Sequence, residues 1–275
     1  SRIEVQNFAI SSDTKDQLLT IEGVYSPKEE NENLDIHLKN IDLEYIFSSL
    51  AIDALQFSGA ATGDIIASSI KGQPYAEVNL NVHDFGFNQT TLGDLKLFSD
   101  LDTETLKVNM KGNITNENNK LTNIDGFINP INSELSINFD AEEVNVAFLN
   151  KYVSTLFNNV KGSGSGHVHL FGNFSKVTVE GEAYIENGGI GINFLNTNYS
   201  FTDTIVMKED LIYFSDIDFH DEKGNIAKVS GRVAHDYFSN FMYYVDLNGE
   251  NFMVYNAPEK LNPMFYGTVF ATGTG

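Results

Sequence analysis

Apolar and polar residues alternate with a period of two along most of the chain. A period of two places successive side chains on opposite faces of a strand. Turn-forming segments such as Asn116–Asn119 and Asp221–Asn225 separate the alternating windows. The pattern predicts an antiparallel, meandering all-β protein whose strands each have one apolar and one polar face. The clearest windows are YAEVNLNVHD from Tyr75, ETLKVNMKGNI from Glu104, SELSINFDA from Ser133, KVTVEGEAYI from Lys176 and FMYYVDLNG from Phe241.

Two windows have helical spacing instead. In Leu43–Leu50 the apolar residues recur three and four positions apart, behind Asp42, a residue type suited to an N-cap. The window Val144–Phe157 has the same spacing. We predict a short amphipathic helix over each window, at equivalent places in successive repeats.

A long internal repeat underlies these elements. Alternating stretches of similar pattern start at Leu34, Leu135 and Tyr243, so that 135 minus 34 gives 101 and 243 minus 135 gives 108. Repeated units of this kind stack on their neighbours to complete a core. We interpret the chain as a fragment of a longer protein with this division: 1–33, the end of a preceding repeat; 34–134, a repeat unit; 135–242, a repeat unit; 243–275, the start of a third.

Closely spaced glycines follow each helical or loop segment. The stretch GSGSG at 162–166 opens no helix and has no following Lys-Ser or Lys-Thr, so it does not fit a phosphate-binding loop. We interpret the glycines as positions where the chain leaving a helix bends back into the sheet. A flexible linker is the alternative for this stretch.

The charge balance restricts the partners. The chain has 17 basic and 38 acidic residues among 275, a formal net charge of -21. Such an excess of negative charge repels phosphate backbones, so we predict no nucleic-acid partner. Attraction to an anionic membrane surface is equally disfavoured, so contact with lipid would have to be apolar. The chain has no cysteine, which excludes disulfides and thiolate chemistry.

No arrangement of residues indicates catalysis. His167 and His169 form the one close histidine pair, as His-x-His, without an evident third metal ligand nearby. The acidic clusters 140–143 and 216–218 lack the spacing of a calcium loop and are interpreted as solvated edges. We therefore predict a protein that is not an enzyme, with no catalytic residue, no cofactor and no metal site.

The order of these elements resembles a known family. An alternating strand, a short helix, a glycine-spaced strand that ends in a second glycine, and another alternating strand follow one another twice. The second glycines are Gly72 in IKGQP and Gly172 in LFGNF, and the strands after them are AEVNLNVHD and VTVEGEAYIENG. This cadence is similar to the AsmA-like proteins, in particular to the C-terminal part of the TamB group, over essentially the whole chain.

The resemblance implies an elongated β structure folded into an open, U-shaped, taco-like trough with an apolar inner surface. It also implies a periplasmic location, an inner-membrane anchor in a missing N-terminal part, and an outer-membrane barrel partner of the TamA type. The implied role is to carry phospholipid along the trough between the two membranes, with its acyl chains in the apolar groove, and to support outer-membrane protein assembly. The strong acidic balance is not explained by this role.

Alternation alone leaves two further functions open. One is a non-catalytic envelope scaffold or adhesin-like repeat with a closed core, and the other is a β-rich carbohydrate-active enzyme, which the repeat disfavours. Under the lipid hypothesis we expect the polar residues Lys107, Asn109, Glu180 and Glu182 to face solvent. The predicted lining of the lipid groove, on one continuous inner surface, is Leu80, Val82, Val108, Met110, Ile137, Phe139, Val179, Ala183, Ile185, Val245 and Leu247.

Overall fold

The structure is a computed structural model that describes residues 2–12, 15–29, 32–45, 56–70, 72–237, 239–261, 264 and 266–274. Within these residues, sixteen antiparallel strands hydrogen-bond in sequence order, from β1 at one edge to β16 at the other. The prediction of an antiparallel all-β protein is confirmed. The strands are β1 Ile3–Ser12, β2 Gln17–Tyr25, β3 Leu34–Asp42, β4 Phe57–Ile70, β5 Gln73–Phe87, β6 Thr90–Leu101, β7 Val108–Thr115, β8 Leu121–Asn129, β9 Glu134–Asn145, β10 Phe157–Asn173, β11 Lys176–Ile192, β12 Thr197–Lys208, β13 Leu211–His220, β14 Ile226–Asp236, β15 Ser239–Ala257 and β16 Gly267–Thr274.

The helical segment of the second window is shorter than the sequence predicts. In the first window residues 43–45 are helical, the Glu44 N–H donates to Asp42 Oδ1 at 3.0 Å, and positions 46–50 lie outside the described residues. In the second window the helical part is a 3-10 turn, Val146–Leu149, and one α-helical turn, α1, Asn150–Val153. Asn150 links this segment to the sheet, because its side chain donates to Ala147 O and accepts from the backbone N–H of Val160 in β10.

The chain divides into two compact units. Unit 1 is Ser1–Asp140 with Leu170–Ser175, and unit 2 is Ala141–His169 with Lys176–Gly275. These boundaries differ from those of the predicted repeats, which stay a prediction. The stretch at 162–166 lies inside β10 and is therefore not a linker.

Unit 1 stacks its apolar residues in rows that run across the strands. Residues that are direct cross-strand partners point to the same face of a sheet, and so do residues two apart on one strand. We call the face that these rows define the apolar face of unit 1. One row is Ile21, Ile36, Ile65, Val78, Ser99, Met110, Gly126 and Ile137, and the next is Leu19, Leu38, Gly63, Leu80, Leu97, Gly112, Ile124 and Phe139.

Unit 2 has a comparable apolar face between β11 and β15. It is interrupted, because the carboxyl-bearing Asp203 is the cross-strand partner of Ile185. The Asp203 carboxylate accepts a hydrogen bond from the N–H of Thr204 at 2.7 Å. The best-formed row of this face is Gly181, Met207, Ile212, Val233 and Tyr243.

A bulge of one kind recurs on β1, β3, β5, β11, β13 and β15, and Glu143 in β9 has the same backbone and the same kind of hydrogen bond. At each one, two residues oppose a single residue of the next strand, and the second of the two has a left-handed backbone, as at Asn40 with φ 52° and Asn251 with φ 53°. A bulge leaves its N–H without a ladder partner, and at six of these positions a side-chain oxygen of the next strand accepts that N–H. The pairs are Asn40–Thr62, Asp84–Asp94, Glu143–Ser165, Asn187–Thr202, Asp216–Ser230 and Asn251–Thr272, with N–O distances of 2.8–3.1 Å.

Glycines beside these acceptors permit the close approach of strands. Gly63 and Gly166 follow the acceptors Thr62 and Ser165 with φ values of 153° and 158°. A Cβ on Gly63 would lie 2.0 Å from the carbonyl oxygen of Asn79, so only glycine fits there. These glycines therefore allow two strands to approach each other inside the sheet. The sequence-based prediction that they mark the exit from a helix is wrong.

One end of unit 2 is tied together by Asp221. Its carboxylate accepts hydrogen bonds from the backbone N–H groups of Lys223, Asn225 and Met253 at 2.8–2.9 Å and from Asn225 Nδ2 at 2.9 Å. The Met253 carbonyl in turn accepts from the Tyr199 hydroxyl at 2.9 Å. Burial alone would raise the pKa of Asp221, but the hydrogen bonds outweigh it and hold the pKa below its ordinary value of 3.8.

We expect Ser165→Ala to lower the free energy of unfolding by about 1–2 kcal/mol, because the Glu143 N–H loses its acceptor. Ser163→Ala, two residues earlier in β10, is the matched control and should cost less than about 0.5 kcal/mol. Urea unfolding of the two variants measures the difference. Equal effects would show that the bulge bond contributes nothing specific.

Asp221→Asn should destabilise unit 2 at neutral pH, and its difference from the parent protein should shrink as the pH falls below 3.8. The sign follows from linkage: a depressed folded pKa adds stability above the unfolded pKa and loses it as the carboxylate is protonated. Thermal unfolding of both proteins as a function of pH tests this. Asp218→Asn, at an exposed carboxylate that pairs with Lys228, is the control, and a pH-independent gap for Asp221→Asn would contradict the expectation.

Candidate functional site: the apolar faces

The structure brings the six predicted lining residues of unit 1 onto one face. Leu80 and Phe139 belong to one row, and Met110 and Ile137 belong to the neighbouring row. Val82 and Val108 lie two residues from Leu80 and Met110, so strand alternation places them on the same face. Val82 is buried at 2 % exposure, whereas the other five are half-buried.

The five predicted residues of unit 2 also share a face by register. Val179, Gly181, Ala183 and Ile185 occupy every second position of β11, so they point to the same face. Val245 and Leu247 pair with Gly231 and Val229 of β14, and Val245 lies two residues after Tyr243 of the row above. Their burial is uneven, because Val179 is 7 % exposed and Val245 is 50 % exposed. Register therefore groups these residues, while their role as a lipid lining stays a prediction.

Helical segments cover part of each apolar face. In unit 1 the buried Leu43, at the start of the first helical segment, packs with Ala61, Val82, Leu95 and the rest of one buried cluster. In unit 2 the buried Val146 begins the 3-10 turn. A Cβ added to Gly164 would lie 3.1 Å from Val146 Cγ1 and 3.4 Å from Ile185 Cδ1. Each helical start thus inserts one aliphatic side chain against its own sheet.

Aromatic packing closes one end of unit 2. The rings of Tyr199 in β12 and Phe252 in β15 stack with centroids 5.1 Å apart, although two strands separate β12 from β15. The Asn256 N–H donates to Leu195 O at 2.9 Å, and the Asn196 side chain bonds Asn256 O. The sheet therefore curls locally, and the apolar face is covered at this end of the unit.

The opposite face of unit 1 is polar but not wholly solvated. Lys107 and Asn109 lie on it and are half-buried rather than exposed as predicted. The ammonium of Lys107 lies 3.6 Å from the ring centroid of Phe127, and Asn109 Nδ2 donates to Asp100 Oδ2 at 3.2 Å. In unit 2, Glu180 and Glu182 are exposed, as expected.

The two rows of unit 1 contain no charged side chain. They are composed of aliphatic residues, glycine, one serine, one methionine and one phenylalanine, and none of these side chains is ionisable. An acyl chain on such a face gains free energy from each methylene removed from water and forms no hydrogen bond. No helix in the described ranges is long and apolar enough to cross a membrane.

Comparisons with family models, with curated proteins and with solved structures find no match for this chain. The likeness to AsmA-like proteins therefore rests on the cadence of strands, helical segments and glycines in the chain itself.

Proposed function

We propose that the chain binds phospholipid acyl chains on its apolar faces and is a segment of a lipid conduit. The observation that carries the proposal is the uncharged pair of rows in unit 1, which extends from β2 to β9 with most side chains half-buried. A face covered by a second sheet would have these side chains fully buried, since sheets pack about 10 Å apart with interdigitating residues. Half-burial supports a face that remains accessible to a ligand.

The size of the rows suits an acyl chain. Neighbouring strands lie about 4.8 Å apart, so the seven steps from β2 to β9 extend about 34 Å. One leaflet of a bilayer has about 15 Å of hydrocarbon, so an extended tail would cover about three strands. Each methylene transferred from water to the face contributes about 0.8 kcal/mol, while the head group stays in water.

The resemblance to AsmA-like proteins supplies the proposed setting. The full-length protein would be periplasmic, anchored in the inner membrane and joined to an outer-membrane barrel, and lipid would pass between the two membranes along an open trough. Support of outer-membrane protein assembly belongs to the same proposal. Because the apolar rows run across the strands, the lipid path would follow the strand order.

A scaffold with a packed core is the second candidate. The Tyr199–Phe252 stack and the buried cluster around Leu43 favour it, because both cover part of an apolar face. In that case the same residues stabilise the protein and bind no ligand.

The variant Met110→Asp separates the two candidates. Met110 is half-buried in a row of unit 1 and lies outside the buried cluster, so its carboxylate can reach water when no lipid is bound. A tail passing over it would desolvate the charge at a cost of several kcal/mol, so we expect at least a tenfold loss of phospholipid binding with the fold retained. The measurements are binding of a fluorescent phospholipid and thermal unfolding.

Phe98→Asp is the matched control, because Phe98 is 43 % exposed and pairs with Lys111 on the polar face. It should leave lipid binding unchanged. Full binding by Met110→Asp would refute a conduit at this position. Unfolding of Met110→Asp would instead favour the packed scaffold, since a closed core cannot hold an unpaired charge.

A further inference from the structure

Among the six positions whose N–H bonds a side chain of the next strand, one differs chemically from the others. At five bulges the residue that accepts the bulge N–H is serine or threonine, whereas between β5 and β6 it is the carboxylate of Asp94. This bulge also has a histidine, His83, before its left-handed residue Asp84. The other five have Lys39, Glu142, Glu186, Ser215 and Glu250 at that position.

The bulge geometry brings the three side chains together. His83 and Asp84 both oppose Asp94, because Val82 pairs with Leu95 and Phe85 pairs with Gly93. His83 Nδ1 lies 2.8 Å from Asp94 Oδ1, and His83 Nε2 lies 3.5 Å from Asp84 Oδ2. Among the described residues, His83, Asp84 and Asp94 form the one group of three histidine and carboxylate side chains whose ligand atoms all lie within 4.8 Å of one another.

We propose that this bulge is a zinc-type divalent cation site, in which His83 Nε2 and the Asp84 carboxylate bind the ion and Asp94 orients the imidazole. Two ligands of a tetrahedral zinc ion lie about 3.4 Å apart when each metal–ligand bond is about 2.1 Å. The 3.5 Å separation of His83 Nε2 and Asp84 Oδ2 is therefore suited to a shared ion.

Asp94 provides the carboxylate that a histidine ligand of zinc usually has on its other ring nitrogen. Histidine ligands usually donate the other ring N–H to a carboxylate, which fixes the tautomer and the ring orientation. Here the Asp94 carboxylate is itself held, because its Oδ1 also accepts the Asp84 N–H at 3.1 Å. A nitrogen ligand favours zinc and its transition-metal neighbours over calcium or magnesium, which prefer oxygen.

The site lies on the polar face and is independent of the proposed lipid path. Val82 and Leu95 point to the apolar face, so His83 and Asp94 beside them point away from it. The three side chains are 60–74 % exposed, so water completes the coordination of the ion.

The chain contains two comparison sites. His37 Nδ1 lies 2.5 Å from Asp64 Oδ1, which is a histidine–carboxylate pair on β3 and β4 outside the three-residue group. His167 and His169 are the competing pair that the sequence singled out. Zinc binding at either would look the same in a measurement of total affinity, so the experiment has to resolve individual histidines.

A zinc titration at pH 7.5, followed by the imidazole NMR signals of the six histidines and by calorimetry, tests the site. We expect the His83 signals to respond at lower zinc concentration than the others. His83→Gln should abolish this event. Asp94→Asn should weaken it about 10- to 100-fold while its amide oxygen still accepts the bulge N–H. His37→Gln and the double variant His167→Gln/His169→Gln should leave it unchanged.

Two results would overturn the proposal. One is that His83 responds no earlier than the remaining histidines. The other is that binding survives His83→Gln and disappears in the His167→Gln/His169→Gln variant. Thermal unfolding of each variant without zinc verifies that the fold is intact, and Asp84→Asn, which retains the side-chain volume, provides a second measure of ligand loss should His83→Gln fail to fold.

Discussion

Each bulge takes one backbone N–H out of the sheet ladder, and that N–H needs another hydrogen-bond acceptor. Much of this structure depends on meeting this need. A β-sheet of many strands has to twist and bend, and a bulge achieves this by placing two residues against one. The extra N–H then needs an acceptor, which a side chain of the next strand supplies, as Thr62 does for Asn40 and Ser165 does for Glu143. Because 143 minus 40 and 165 minus 62 both give 103, the requirement also recurs with the period of the proposed repeat.

The strands were predictable because a period of two is a local property. The alternating windows fall on β5, β7, β9, β11 and β15, and register then groups their apolar residues without further information. The bulges were missed because their signal is divided between two strands. On the bulged strand the signal is an Asn or Asp before an apolar residue, as at Asn251–Phe252. On the next strand the signal is a hydroxyl residue before a glycine, as at Thr272–Gly273. Neither half is informative until pairing brings them together.

The helical windows and the histidine cluster show the limits of spacing as a guide. Val144–Phe157 has helical periodicity, yet Asn150 bonds β10 and the chain returns to the sheet after α1. Tertiary contacts thus override a periodic pattern in a short segment. Likewise His167 and His169 are close in sequence, whereas His83 meets Asp94 only because β5 pairs with β6 with a bulge between them.

Whether an apolar face holds a ligand or a core is decided by what lies above it, and strand alternation is the same in both cases. This chain combines the two states. Around Leu43 and around Tyr199 the face is covered by the chain's own residues, while Met110 and Val245 remain partly exposed. A partly exposed apolar surface has a free-energy cost in water, which under the proposed function a bound acyl chain would remove. Within each unit the packed cluster stabilises the sheet, and under the proposed function the partly exposed residues of the same face would exchange water for hydrocarbon.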